Sequence, residues 1–201
     1  MIAIIDYGAG NIKSLQFALA KLNMESCLTK DEATIRKSEA IILPGVGSFQ
    51  DAMNELNKAN LDNIIRSEAL KGKPLLGICL GMQLFYETSN EGGITNGLGV
   101  LKGHIQRIPS SVKVPHMGWN TLQVKIPSAI MTNLPNNPYV YFVHSYYANH
   151  VHPKEVICSS TYGEELPVIV QKDNIIGMQF HPEKSGEIGI QLLKNFREMM
   201  L

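Results

Sequence analysis

The sequence predicts an α/β fold, with a mostly parallel central sheet covered by helices on both faces and a strand-rich C-terminal half. Three observations predict it. Short apolar runs bounded by Gly or Pro, Ile2 to Ile5, Ala40 to Leu43 and Leu75 to Ile78, are each followed by a stretch with helical spacing. That is the alternation of βαβ units, whose parallel strands are buried on both faces. After about residue 97 the pattern changes to shorter alternating runs with few helical stretches between them. A late apolar run, Ile175 to Phe180, precedes a segment from Ser185 to Met200 whose Ile188, Leu192, Leu193 and Phe196 keep helical spacing.

Taken in order, the first run leads into Asp6-Tyr7-Gly8-Ala9-Gly10-Asn11. This invites a dinucleotide-binding reading, but Lys13 stands where the third Gly of the fingerprint belongs, so a turn without a cofactor is expected. The second run ends in Leu43-Pro44-Gly45-Val46-Gly47-Ser48, a strand-to-helix loop able to aim backbone N–H groups into a site. The third ends in Gly77-Ile78-Cys79-Leu80-Gly81-Met82-Gln83. A strand meets a helical run there with Gly two residues to either side of Cys79, the pattern of a nucleophile elbow, in which a strained turn exposes the nucleophile and tolerates only minimal side chains beside it. A helix N-terminus and a nearby imidazolium would both favour the thiolate, and the Leu80 N–H would face a developing oxyanion. A buried core cysteine is the alternative for Cys79. For Cys27 and Cys158, which lack flanking glycines, it is the expected reading.

Glu91 to Gly99 holds four glycines and reads as a mobile surface loop. Strands are expected at Val112 to Val114, Thr121 to Ile126, Tyr139 to Val143 and Val156 to Ser159. The late run delivers His181-Pro182-Glu183 to the carboxyl edge of the sheet, where open α/β sheets gather their sites. In an extended segment residues i and i+2 share a side, so Glu183 can hold one imidazole nitrogen of His181 and leave the other free for a thiol proton. His104, His116 and His144 have no acidic partner at i+2, and His150 and His152 lie in a polar turn near Pro153. No set of histidines and cysteines has metal-ligand spacing, and no metal is expected.

Composition bounds the function. The 201 residues, 44% hydrophobic, suit one domain spanning 1–201 with one core, and no repeat or dividing linker interrupts them. Eighteen Lys plus Arg balance eighteen Asp plus Glu, leaving no net field for nucleic acid or an acidic membrane. Three widely spaced cysteines point to a reducing cytoplasm, and the opening apolar run meets Asp6 too early for a signal-peptide core.

Together, Pro74 through Phe85 and His181-Pro182-Glu183 resemble the signature of class I glutamine amidotransferases. More narrowly, Asp6 to Asn11, Leu43 to Gly47, Pro115-His-Met-Gly-Trp-Asn120, Tyr141 to Tyr146 and His181 to Ser185 look like the histidine-biosynthesis branch of that family. The resemblance covers nearly the whole chain. It implies a flavodoxin-like amidotransferase fold, no cofactor, glutamine as substrate and a (β/α)₈ cyclase subunit that receives the ammonia in a heterodimer. Carried over by position, it makes Cys79 the nucleophile, His181 the general acid/base and Glu183 its orienting group. Val46, Gly47 and Leu80 match the oxyanion hole, while Gly45, Gln83, His144, Ser145 and Tyr146 match substrate-binding positions. Asn11, Met117, Trp119 and Lys184 match the partner interface.

Three alternatives stay open at this stage. A paralogue with the same chemistry would supply a different synthase, such as one amidating a surface sugar, and neighbouring genes would separate the two. A cysteine hydrolase of the same fold would cleave peptides or γ-glutamyl conjugates, and a non-catalytic interaction subunit would show no Cys79-dependent glutaminase activity.

Overall fold

The computed structural model describes residues 1–8, 10 and 12–199. Its strands are β1 (Ile2–Ile5), β2 (Ser26–Thr29), β3 (Ala40–Leu43), β4 (Leu75–Ile78), β5 (Thr88–Ser89), β6 (Thr95–Asn96), β7 (His104–Arg107), β8 (His116–Thr121), β9 (Gln123–Val124), β10 (Tyr139–His144), β11 (Tyr146–Asn149), β12 (Val156–Tyr162), β13 (Glu164–Lys172) and β14 (Ile175–Met178). The helices are α1 (Ile12–Lys21), α2 (Glu32–Lys37), α3 (Phe49–Lys58), α4 (Leu61–Leu70), α5 (Leu80–Gln83) and α6 (Gly186–Glu198). None of them is long and apolar enough to cross a membrane.

The large sheet runs β2-β1-β3-β4-β14-β13-β12-β9. Its first five strands pair in parallel and the last three are antiparallel additions. The parallel part has the 2-1-3-4-5 order of flavodoxin-like sheets. β1, β3, β4 and β14 are buried at every position, which explains why each is a continuous apolar run rather than an alternating one. Two apolar clusters fill the two faces. One gathers Ile4, Ile42, Ile78 and Met178 with α1 and α6, the other Ile5, Ile41, Leu43 and Leu75 with α3 and α4. α6 buries Leu192, Leu193 and Phe196 on one stripe, and each such side chain contributes about 1.5–3 kcal/mol through apolar burial.

The second half differs from expectation in detail. Val112 to Val114 is a turn leading into the cis Val114–Pro115 bond, and its valines pack on the core from there rather than from a strand. Thr121 to Ile126 is divided between the end of β8 and the short β9. The stretch Glu91 to Gly99 is not simply a loop, since it contains β6, which pairs antiparallel with β5 just before it. β8 and β10 form a separate two-stranded ribbon, with Trp119 opposite Tyr141 and His116 opposite His144. His181 N–H donates to the Tyr141 carbonyl at 3.1 Å and Tyr141 N–H donates to Ser185 Oγ at 3.0 Å, so the ribbon is laced to the segment that follows β14.

Candidate active site

Cys79 follows β4 directly at φ 54° and ψ −111°, a conformation that residues bearing a Cβ rarely adopt. Gly77 and Gly81 make the strain possible. A Cβ on Gly81 would overlap the Leu43 carbonyl, and one on Gly77 would lie 2.6 Å from the Phe85 ring. The adjacent parallel strands hold the elbow from below, with Cys79 N–H donating to the Met178 carbonyl at 2.7 Å. The helix that follows is only four residues long, so the helix-dipole support expected there is small.

His181 and Glu183 do meet, though not by extended alternation. Pro182–Lys184 is a 3₁₀ turn, and it swings Glu183 back so that its Oε1 lies 2.8 Å from His181 Nδ1. That contact makes Nδ1 the N–H nitrogen. Nε2 is buried and has no hydrogen-bond partner among the described residues, so it is the nitrogen available to the sulfur. Burial pushes the imidazole pKa down, but the Cys79 sulfur and the Glu183 carboxylate outweigh it and hold His181 up at about 9. The thiol also lies 3.7 Å from the Val143 carbonyl.

A cavity of about 250 Å³ opens on Cys79, below the ~300–1,000 Å³ of drug-sized sites. Val46, Gly47, Leu80, Gln83, His144, Ser145 and Tyr146 all line it. Gly45 does not. It is buried beneath the loop, where a Cβ would collide with the Tyr7 hydroxyl and Leu80. Tyr7 donates its O–H to the Pro44 carbonyl at 2.6 Å, and Ser48 caps α3 by accepting from Asp51 N–H, so both ends of the loop are pinned while Val46 and Gly47 remain exposed. Leu80 opens α5, where a helix leaves its first N–H groups without intrahelical acceptors.

Two residues that pattern reading did not single out belong to this site. Glu91 lines the cavity and accepts the Phe49 N–H at 2.8 Å, which sets its carboxylate at the start of α3. Gln179 is fully buried, accepts from Gln83 Nε2 at 3.0 Å and points its own Nε2 at the Cys79 sulfur, 3.9 Å away. The available signal for Gln179 was a polar residue inside the run Ile175 to Phe180, two before His181; Glu91 carried none beyond its glycine-rich neighbours. Gln83 donates its second N–H to the Tyr146 carbonyl at 2.9 Å, so its oxygen is what remains for a ligand.

The residues matched to a partner interface divide. Met117 and Trp119 are 62% and 56% exposed on the outer face of β8, beside the 59% exposed Tyr139. Lys184 is exposed after the His-Pro-Glu turn. Asn11 lies outside the described residues. Among the described residues no group of three or more His, Cys, Asp or Glu is placed to hold a metal ion. A larger hollow of about 840 Å³ lies between α1 and α6, lined by Lys13, Phe17, Lys21 and Glu187, and it touches Glu183 but not the thiol.

The family model described as glutamine amidotransferase class-I matches residues 3–199. Among curated relatives, the imidazole glycerol phosphate synthase subunit HisH of Oceanobacillus iheyensis is 60% identical over 200 residues, covering 100% of both chains. The protein of the same name from Caldanaerobacter subterraneus subsp. tengcongensis is 48% identical, covering 100% of this chain and 98% of its own. Among solved structures, a glutamine amidotransferase crystal structure superposes with a TM-score of 0.79 at 19% identity over 100% of this chain and 99% of that one. The structure of PurLQS from Thermotoga maritima gives 0.75 at 21% identity, over 100% and 98%.

Proposed function

The chain belongs to the class-I glutamine amidotransferase family, and from that premise we propose that it is the glutaminase subunit of imidazole glycerol phosphate synthase. It hydrolyses glutamine to glutamate and ammonia, and the ammonia passes to a cyclase subunit that forms imidazole glycerol phosphate and AICAR in histidine biosynthesis. The observation that carries the chemistry is one juxtaposition at the sheet edge: a thiol on a strained elbow beside a buried imidazole whose far nitrogen is held by Glu183 at 2.8 Å.

The cycle follows from that geometry. The Cys79 sulfur attacks the side-chain amide carbon of glutamine as the thiolate, with the charged His181 beside it. The oxyanion that develops is met by the Leu80 N–H and by a peptide N–H of the Val46-Gly47 loop, one such donor being worth roughly 10² to 10³ in rate. Collapse expels ammonia, which takes its proton from His181 Nε2 and leaves a glutamyl thioester. His181, now neutral, draws a proton from water, the hydroxide attacks the thioester, and glutamate leaves as the thiolate re-forms. Only groups of this chain and water take part, so no cofactor enters. Gln83, Ser145 and Tyr146 line the substrate's end of the cavity with Glu91, whose carboxylate suits the α-ammonium of an amino acid.

The partner is a cyclase with a (β/α)₈ barrel, docked over the surface that carries Met117, Trp119 and Lys184. An apolar, aromatic surface on a ribbon hydrogen-bonded to the triad segment supports that placement, because aromatic residues and Met are enriched in interfaces. Docking there reorients one peptide of the Pro44 to Ser48 loop and completes the oxyanion hole, so glutamine is not spent without an acceptor. The whole chain acts as one glutaminase domain in the cytoplasm. Quenching the complex during turnover tests the cycle: a glutamyl adduct on the Cys79 peptide is expected by mass spectrometry, and turnover with an unmodified Cys79 and an adduct elsewhere would overturn it.

A further inference from the structure

The buried pair His116 and His144 is not used by the chemistry above, yet its hydrogen bonds run in one direction only. The Tyr146 carbonyl lies 2.8 Å from His144 Nδ1 and can only accept, so His144 carries its proton on Nδ1 and its Nε2 is an acceptor. His116 Nδ1, 3.1 Å from that Nε2, must then donate, which leaves His116 Nε2 as an acceptor. The group facing it is the Asn120 amide nitrogen at 3.4 Å. The orientation of that amide is fixed independently, because Asn120 Oδ1 accepts the Thr121 N–H at 2.8 Å and Nδ2 donates to the Thr161 carbonyl at 3.1 Å. Every link agrees: Asn120 to His116 to His144 to Tyr146.

The chain is rigid. The His116 ring is stacked between Tyr162, 3.9 Å away between centroids, and Phe142, 4.6 Å away, and both imidazoles are almost completely buried. Burial holds both well below the usual histidine range, His116 at about 4 and His144 at about 3, so both are neutral at physiological pH. At its inner end the Tyr146 carbonyl spends its two lone pairs on His144 Nδ1–H and Gln83 Nε2–H. The second Gln83 hydrogen goes to Gln179, so the carbonyl decides whether Gln83 shows the cavity its oxygen or its nitrogen. At its outer end, His116 and Asn120 alternate along β8 with the exposed Met117 and Trp119.

We propose that His116 is a positioning residue for the glutamine pocket: its Nδ1–H fixes His144, and through the Tyr146 carbonyl fixes Gln83 with its oxygen toward the substrate. The link ties the pocket's polarity to the strand whose other face is exposed. This rests on glutamine being the substrate. A weakened link disturbs how glutamine is held more than how the bound amide is cleaved, since His116 touches neither the sulfur nor the triad carboxylate.

Two polar substitutions separate positioning from packing. In His116→Asn the amide nitrogen takes the place of Nδ1 and keeps the donor, whereas in His116→Gln it takes the place of Nε2 and the donor is lost. Steady-state glutaminase kinetics of the full chain with its cyclase should show KM for glutamine raised about tenfold in His116→Gln with kcat within about twofold, and near-native KM in His116→Asn. Nitrogen-15 spectra of the wild-type histidines should show His144 and His116 both protonated on Nδ1 alone. An unchanged KM in His116→Gln, an equal loss in both variants, or an Nε2–H tautomer at either ring overturns the proposal. A wild-type complex that releases no ammonia from glutamine refutes the substrate instead, and the tautomers then decide whether the chain of hydrogen bonds exists.

Discussion

The strain at Cys79 is sustained because nothing larger than hydrogen stands two residues away on either side. Gly81 faces the Leu43 carbonyl with no room for a methyl group, so Gly81→Ala should displace the Pro44 to Ser48 loop and cost roughly 1–3 kcal/mol, typical of overpacking a close contact. Thermal unfolding checks this, and a native Tm would contradict it. His181 gives a pH signature of the opposite kind. Its folded pKa, about 9, lies above the unfolded value near 6.5, so the stability it contributes is fully present below pH 6.5 and is lost as pH rises through about 9. Denaturant midpoints between pH 6 and 10 should fall in the wild type and fall less steeply in Glu183→Gln, which removes a charge holding the proton. At this scale the sequence was most transparent where chemistry and backbone coincide, as at Cys79 with its glycines and at His181 with Glu183. Gln179 and Glu91 were opaque because their roles arise from distant partners, Cys79 for one and the start of α3 for the other.

Among the elements, α2, α4 and the approach to β4 are joined by a single carboxylate. Glu68 on α4, almost buried, pairs with Arg36, Lys71 and Lys73 at 2.8–3.0 Å. The Lys71 ammonium, against the opposing pull of burial and with Lys73 adding to it, holds the Glu68 carboxyl down at about 2. Its contribution is therefore present above pH 4.5 and is lost as pH falls toward 2, and Glu68→Gln should cost on the order of 1–3 kcal/mol at pH 7 by chemical denaturation, with the difference from wild type shrinking in acid. The strands legible in sequence, β1, β3 and β4, are those buried on both faces. β2 reads Ser-Cys-Leu-Thr because it is a half-exposed edge strand, and β13 hides behind Glu164, Glu165 and Pro167. Pro167 is tolerated because it lies opposite Ser159, next to a shift in the β12–β13 register. The β8–β10 ribbon is a hairpin-like layer whose outer face leaves Met117, Trp119 and Tyr139 exposed. Trp119→Ala should change the stability of the isolated chain by less than about 0.5 kcal/mol, as for an exposed side chain, yet reduce partner-dependent glutaminase activity about tenfold or more.

At the scale of the molecule, the parallel sheet converges three connections on one edge: the loop after β3, the elbow after β4 and the turn after β14. The first two line the cavity on Cys79 through Val46, Gly47 and Leu80, the third carries His181 and Glu183, and Val143 and His144 at the end of the ribbon line the same cavity. The fold, the turn at Cys79 and the meeting of His181 with Glu183 were legible because they depend on strand order and local motifs. The pocket's internal polarity was not, because it depends on which carbonyls and amides meet across the ribbon. The most direct test of the account is ammonia release from glutamine by the wild type and by Cys79→Ala, each with and without the cyclase subunit. Activity that rises sharply with the cyclase and vanishes in Cys79→Ala is the predicted result. Equal activity in Cys79→Ala, or no release from the wild type with its partner, would contradict it.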